Sequence, residues 1–266
     1  MQPLVSIITV CYNAHKHLEE CMNSVLAQNY PNVEYLLVDG NSKDGTLQII
    51  QRLAAQHPKI SYISEPDKGI YDAMNKGMRM AKGDIIACVN ADDYLAHTNV
   101  ITDAVNLMHT SAADVVHANI VQQIEIGALR FQKKQTSNFA DIKRNMQLVQ
   151  GTSFWTKNAV QQIGWFNLAY KIVADYDYVL RGVALNLKFV MSHDVWLMFR
   201  IGGISTTTCR SSNENRQLAL AHHTGMYWNY TKRYYTCILK SFVKKHITKT
   251  QLTPHYLIAK GWQQLT

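Results

Sequence analysis

The first half of the chain alternates two hydrophobic periods, and that alternation limits the fold more than any other feature. Leu4 to Val10 (LVSIITV) is a short β-branched run, whereas the next segment sets Leu18, Cys21, Met22, Val25 and Leu26 at helical spacing. Strand-like runs recur at Val33–Val38, Ile60–Ile63, Asp84–Val89 and Asp114–Ala118. Helical ones recur at Thr46–Leu53, Ile70–Met80 and Thr98–Met108, with Ser42 or Asp44 placed to cap the helix that opens at Thr46. A βαβα order with short connections implies an α/β fold, a mostly parallel sheet with helices on both faces. Sheets of this kind bind ligands in the crevice at the carboxyl ends of their strands. The residues just after each strand are therefore the candidate site.

The second half is less regular. Residues 120–135 look like a projecting strand pair, and residues 147–190 hold a polar-aromatic loop and a helix near Asp177–Ala184. Val195–Phe199 reads as a strand, and Ser211 to about His246 as one long helical stretch. No internal repeat and no Pro/Gly-rich linker is visible. The expected division is one α/β domain over residues 1–210 and a basic, aromatic helical extension over 211–266. No apolar run approaches the roughly 18–20 residues of a spanning helix. The first ten residues lack the basic stretch and cleavage site of a signal peptide, so a cytoplasmic protein is expected. The five cysteines (Cys11, Cys21, Cys88, Cys209, Cys237) are scattered and odd in number, which predicts reduced thiols rather than a disulfide framework or a zinc site. His222 and His223 are adjacent, so on a helix they diverge by about 100° and suit a structural role better than joint metal ligation.

The net charge belongs to the tail. The last acidic residue is Glu214, and the eight basic residues beyond it (Arg216, Lys232, Arg233, Lys240, Lys244, Lys245, Lys249 and Lys260) equal the net charge of +8. Trp228, Tyr227, Tyr230, Tyr234, Tyr235, Ile238, Leu239 and Phe242 are interleaved with them. Aromatic and basic residues without acids suit an anionic membrane surface. A packing helix with a solvated basic face reads the same way, and a nucleic-acid groove is the third alternative. The expectation carried forward is peripheral attachment at the inner face of the cell membrane, without nucleic acid.

Three strand ends carry candidate chemistry. Thr9-Val10-Cys11-Tyr12-Asn13 is not GxGxxG, which argues against a dinucleotide-binding dehydrogenase; an aromatic followed by Asn can stack on and hydrogen-bond a base. Asp39, at the head of Gly40-Asn41-Ser42-Lys43-Asp44-Gly45, either accepts from a base N–H or holds its own turn. Asn90-Ala91-Asp92-Asp93 sets two carboxylates side by side, and a divalent cation offsets that repulsion; hard cations such as Mg2+ or Mn2+ take oxygen ligands and bridge to phosphates. Helix capping is the plainer alternative for such a pair. Further on, Asp175 and Asp177 flank Tyr176, and Asp177 stands four residues before Arg181, a helical ion-pair spacing. That leaves Asp175 free to act as a base.

Taken in order, these segments resemble family 2 of the glycosyltransferases, which have the GT-A fold. VSIITVCYN looks like the family's opening strand, and YLLVDGNSKDGT like its VDDGSxDGT signature. SEPDKGIYDAMNKGMRMAKGDII is similar to its third segment, and CVNADDY to its DxD-type metal-binding stretch. GTSFW, IGWFNLAYKIVADYDYVLR and FRIGGIS resemble the acceptor-side half of bacterial polysaccharide-synthesis members, so the likeness spans residues 4–205. The resemblance implies an inverting transfer of sugar from a nucleotide-diphosphate donor to a glycan or polyprenyl-linked saccharide, with Mg2+ or Mn2+, in bacterial surface polysaccharide assembly. It implies that Thr9, Tyr12 and Asp39 hold the base and ribose, with Asp67 and Lys68 near the base or diphosphate; Asn13 joins the nucleotide-sugar-binding candidates from its place after Tyr12. Asp92 would meet the ribose or the metal, Asp93 would coordinate the metal, and Asp175 would be the catalytic base. Three positions depart from the family pattern: Gly40 stands for the second acid of the DD pair, Asn90 for the first acid of DxDD, and Ala174 for the glutamate of the ED pair.

Two rival readings carry less. A nucleotidyltransferase also uses strand-end acids and a metal, but it calls for a Gly-rich, basic loop after the first strand, which Thr9 to Asn13 is not. A non-catalytic sugar-nucleotide-binding protein has no need of Asp92, Asp93 and Asp175 together.

Overall fold

In the structure, a computed structural model that describes residues 2–136, 139, 142, 148–202, 209–246 and 254–265, the expected alternation is present. It runs β1 (Val5–Cys11), α1 (Leu18–Leu26), β2 (Val33–Asp39), α2 (Thr46–Gln56), β3 (Ile60–Ser64), α3 (Ile70–Met80) and β4 (Ile85–Cys88). A short β5 (Tyr94–Leu95) and α4 (Val100–Ser111) lead into the long β6 (Val115–Ile126) and β7 (Leu129–Gln135). Then come β8 (Phe154–Thr156), α5 (Lys157–Ile163), α6 (Ala174–Ala184) and β9 (Phe189–Arg200). The chain closes with α7 (Arg210–Ala221), α8 (Tyr227–His246), α9 (Pro254–Ala259) and β10 (Gln263–Leu265).

These strands form one sheet. β3, β2, β1 and β4 lie side by side and parallel, with Cys11 opposite Asp39 at the carboxyl end. β8, β6, β7 and β10 continue the sheet as antiparallel neighbours, while β9 runs parallel along β6. Strand alternation divides the core in two. Val5, Ile7 and Cys11 of β1 face α1, α2 and α4, whereas Ile8 and Val10 face α3, α5 and α6. α1 buries Leu18, Cys21, Met22 and Val25 at i, i+3, i+4 and i+7, and each fully buried large apolar side chain contributes about 1.5–3 kcal/mol. On the other face α3 comes so near β1 that a Cβ on Gly77 would lie 2.4 Å from Ile8 Cγ2.

Three expectations are corrected. The helix foreseen near Asp177 begins at Ala174, so Asp175 and Asp177 both sit in its first turn. The single helical stretch from Ser211 is two helices, α7 and α8, broken where His223 (φ 49°) and Gly225 (φ 74°) take left-handed conformations that a helix cannot continue. That break folds α8 back on α7 and brings Cys209 and Cys237 to a Cα separation of 5.6 Å, where they form a disulfide. Residues 28 apart in sequence meet only because of the turn, so their pairing was invisible in the spacing. Cys11, Cys21 and Cys88 are free and buried, as expected of reduced thiols.

The C-terminal segment packs onto the rest of the protein. Leu218, Ala219, Tyr230 and Leu257 are buried, and β10 pairs with β7. No helix among the described residues is long and apolar enough to cross a membrane.

Candidate active site

The carboxyl ends of the parallel strands build the first wall. The backbone N–H of Gly40 donates to Cys11 O at 2.9 Å, which ties the ends of β1 and β2 together. Asn13, at φ 50°, accepts the Lys43 N–H at 2.9 Å on its side-chain oxygen and donates its own N–H to Ser42 Oγ at 2.8 Å. Asp39 is fully buried and organises the same turn: it accepts from the Ser42 N–H and hydroxyl and from Ser64 Oγ at 2.6 Å. Of its two expected roles, the carboxylate performs the structural one here. Asp44 accepts the first N–H of α2, that of Thr46, at 3.1 Å and the N–H of His15 at 3.0 Å.

Tyr12 and Asp67 meet over Gly40. A Cβ on Gly40 would lie 2.5 Å from Asp67 Oδ2 and 3.2 Å from Tyr12 Cδ2, so the missing second acid of the family signature leaves room that the Asp67 carboxylate fills. Tyr12 is 65% exposed, with its ring open to a flat ligand. Asp67 also accepts the Gly69 N–H at 2.8 Å, and Lys68 is exposed at the entrance to α3.

Thr9 is a correction. It is fully buried, and its hydroxyl lies 3.0 Å from Tyr35 OH rather than in the crevice. The reason is strand parity: Thr9 points to the same face as Ile7 and Cys11, where α1 covers it.

The acidic pair forms the second wall, after β4. Asp92 is partly exposed and lines a cleft of about 410 Å³ with Glu20, Tyr94, Glu125 and Arg200. Asp93 is fully buried; it accepts the Arg200 backbone N–H at 3.0 Å on one oxygen and Asn90 Nδ2 at 3.4 Å on the other. Burial first, and then the Asp92 charge, push the Asp93 carboxyl well above the usual carboxylate range. Beside it the Asn90 side-chain oxygen is buried without a hydrogen-bond partner. Arg200 reaches the pair from β9, donating to the Asp92 carbonyl at 2.6 Å and pairing with Glu20.

This donor set fits a divalent cation shared with a substrate. Asp92, Asp93 and the Asn90 oxygen are all hard oxygen donors, one unpartnered and one short of compensating charge. No group of three or more His, Cys, Asp or Glu that could cage a metal occurs among the described residues. Mg2+ is commonly held by one or two carboxylates together with substrate phosphates, which is the arrangement these residues permit.

Asp175 stands at the start of α6. Its Oδ1 accepts the Tyr176 N–H at 2.8 Å and faces Tyr71 OH at 3.1 Å. Desolvation raises its carboxyl to about 6, against which those hydrogen bonds work. Asp177 is committed elsewhere: it bridges Arg181 Nε at 2.9 Å and His222 Nε2 at 2.8 Å. The helical spacing of Asp177 and Arg181 foretold the first contact, and His222 takes the structural role expected of it. Tyr71, Arg200 and Glu214 were not singled out from the sequence, since each matters through a contact 40 or more residues away. Of the segment FRIGGIS, residues 203–205 lie outside the described residues.

The family model described as Glycosyl transferase family 2 matches residues 6–169. Escherichia coli chondroitin synthase is 39% identical over 93 residues, which is 35% of this chain and 14% of that protein, so the chain spans a small part of that relative. Two solved structures are similar in fold. The Pyrobaculum calidifontis mannosyltransferase PcManGT, in complex with GDP-Man and Mn2+, superposes with a TM-score of 0.67 at 17% identity, covering 98% of this chain and 80% of that one. An S. aureus TarS fragment in complex with UDP-GlcNAc gives 0.67 at 18% identity, covering 97% and 80%.

Proposed function

Since the chain belongs to glycosyl transferase family 2 and has the GT-A fold, we propose that it is an inverting, metal-dependent transferase that moves a sugar from a nucleotide-diphosphate donor to a glycan or polyprenyl-linked saccharide. The observation that carries the metal and donor reading is the oxygen cluster of Asn90, Asp92 and Asp93, where an unpartnered acceptor adjoins a buried carboxylate held above its normal pKa. In this reading Tyr12 stacks on the base and Asp67 hydrogen-bonds the nucleotide, while Asn13 and Asp39 hold the turn that shapes its pocket. Lys68 lies near the diphosphate. A bound Mg2+ or Mn2+ offsets the charge that develops on the departing diphosphate. Asp175 takes the proton from the acceptor hydroxyl as that oxygen attacks the anomeric carbon from the face opposite the leaving group, and this inverts the configuration.

The fold-level neighbours with UDP-GlcNAc and with GDP-Man and Mn2+ support a nucleotide-sugar donor and a divalent ion without choosing the base. A thermal-shift series with UDP-GlcNAc and GDP-mannose, each with Mn2+ and with EDTA, tests the reading. Stabilisation by one of them in Mn2+ only, and its loss in Asp93→Ala, is expected. Turnover undiminished in EDTA would sink the metal role, and silence towards every nucleotide sugar would sink the donor role.

The acceptor reading extends to a membrane. α8 exposes Trp228 (76%) and Tyr235 (60%) with Lys232 and Arg233 nearby, while Lys249 and the side chains of Lys240, Lys244 and Lys245 lie outside what the structure describes. Attraction to an anionic bilayer is worth about 1 kcal/mol per basic residue at the surface. This face would hold the enzyme at the inner leaflet, next to a lipid-linked acceptor. Co-sedimentation with anionic liposomes should be strong at low salt and weak at high salt. Protein left in the supernatant at low salt would remove the membrane claim.

A further inference from the structure

The turn that leads into Asp175 is anchored from beyond the family-matched residues. Glu214 of α7 is only 5% exposed. Its Oε2 accepts the backbone N–H groups of Lys171, Ile172 and Val173 at 2.9, 2.8 and 3.3 Å, and its Oε1 accepts from Arg210 Nε at 3.0 Å. Those residues form the turn into α6, whose N-cap, Val173, offers no side-chain cap of its own. A carboxylate gathering three N–H groups is a strong anchor, because charge-assisted hydrogen bonds are about twice as strong as neutral ones. The carbonyl of Ile172, in the middle of that turn, accepts from Tyr71 OH at 2.7 Å, and the same hydroxyl lies 3.1 Å from Asp175 Oδ1.

We infer that Glu214 and Tyr71 are positioning residues for the base: Glu214 fixes the 171–173 turn so that the Ile172 carbonyl and the Asp175 carboxylate share one tyrosine hydroxyl. This rests on Asp175 being the base. The hydroxyl has a single proton and two acceptors. Donated to Asp175, that proton favours the carboxylate and opposes the desolvation that raises its pKa. Once Asp175 has taken a proton from the acceptor, the hydroxyl turns to the Ile172 carbonyl and keeps a hydrogen bond. Burial, and then the Asp175 charge, hold the Tyr71 hydroxyl well above its ordinary pKa, so it remains a donor throughout the working range. Among the described residues Tyr71 of α3 touches Asp175 directly and Tyr176 follows it; Glu214 of α7 holds the turn before it through backbone N–H groups, and Asp177, two residues on, is committed to Arg181 and His222. The role gives α7 a part in catalysis although it lies outside the matched segment.

The test needs no substrate. A carboxyl whose folded pKa is raised destabilises the protein above that pKa and not below the unfolded value, so wild type and Asp175→Asn should agree in thermal stability near pH 4. The gap should open between the unfolded value and about 6 and stay constant above it, and the pH at which it levels off gives the ionisation midpoint of Asp175 in the folded protein. Tyr71→Phe, compared with Tyr71→Phe/Asp175→Asn, should raise that midpoint by about one pH unit, the worth of one hydrogen bond to a charged group. Glu214→Ala should raise it likewise, whereas Glu214→Gln, whose amide oxygen still accepts the three N–H groups, should leave it near the wild-type value. An unchanged midpoint in Tyr71→Phe overturns the inference. So does a Glu214→Ala protein that is less stable at every pH with its midpoint unmoved, which is what a purely structural anchor predicts. Should Glu214→Ala fail to fold, Tyr71→Phe and Glu214→Gln still decide. The base reading is judged separately: full turnover by Asp175→Asn would end it whatever the midpoints do.

Discussion

Replacing Gly40 with alanine should separate donor binding from folding. The new Cβ would stand 2.5 Å from Asp67 Oδ2, whereas ordinary contacts begin near 3.4 Å, so the carboxylate must retreat by nearly 1 Å; the Tyr12 ring at 3.2 Å need give only a few tenths. Gly40 lies outside the positive-φ region, so alanine adds no backbone strain. The intruding contact is the tip of a side chain, and folding loses at most the Asp67 to Gly69 N–H bond, 2.8 Å long and partly exposed. That is about 1 kcal/mol, or roughly 2–4 °C in Tm for a chain of this size. Nucleotide binding should suffer more. A charge-assisted hydrogen bond is worth about 1.5–3 kcal/mol, so losing the one that Asp67 makes to the donor should weaken binding by about 10- to 150-fold. Titration calorimetry with UDP and GDP in Mn2+, alongside thermal melts, measures both quantities. Asp67→Ala should reproduce the affinity loss, and Gly40→Ala should then be silent in that background, since the two act through one carboxylate. Wild-type affinity in Gly40→Ala would refute the role given to Asp67. A melt lowered by ten degrees or more would refute the claim that a side-chain rotation absorbs the clash.

Three further outcomes are expected. kcat/KM should rise with pH through about 6, because the base must be ionised and burial raises Asp175 to that value; a profile flat between pH 5 and 8 would count against it. Gly77→Ala gains about 1 kcal/mol of helix propensity but forces a Cβ to 2.4 Å from Ile8 Cγ2, and overpacking costs about 1–3 kcal/mol, so its Tm should fall by a few degrees rather than rise. Thiol titration of the oxidised, denatured protein should find the three thiols of Cys11, Cys21 and Cys88, and reduction should lower Tm because the Cys209–Cys237 bond closes a loop worth roughly 3–4 kcal/mol; five thiols before reduction would disprove the bond.

What the sequence determined by itself was local. Periods of two and of 3.6 marked β1 to β4 and α1 to α4 within a few residues, because each element buries one face and writes that face into neighbouring positions; the two-residue β5 is too short to leave such a pattern. Strand-end residues such as Tyr12, Asp92 and Asp93 stood out for the same reason: they follow apolar runs whose ends are visible, whereas Asp67 entered only through the family resemblance. The Asp177 to Arg181 pair was legible because a helix sets its neighbours by spacing alone. Strand parity was legible in principle too, and it decides against Thr9; but the first wall of a site is set by loops as well as by strands, and parity says nothing of which face a helix will cover. Everything that depends on remote partners came from the tertiary structure. Tyr71 meets Asp175 across 104 residues, Glu214 gathers the turn at 171–173 from 41 to 43 residues away, and His222 reaches Asp177 across 45. Cys209 finds Cys237 only after His223 and Gly225 reverse the helix. Such contacts leave no periodic trace, because a buried carboxylate is satisfied by whichever donors the packed helices bring to it, and packing is a property of the whole sheet and its two cores rather than of any one segment.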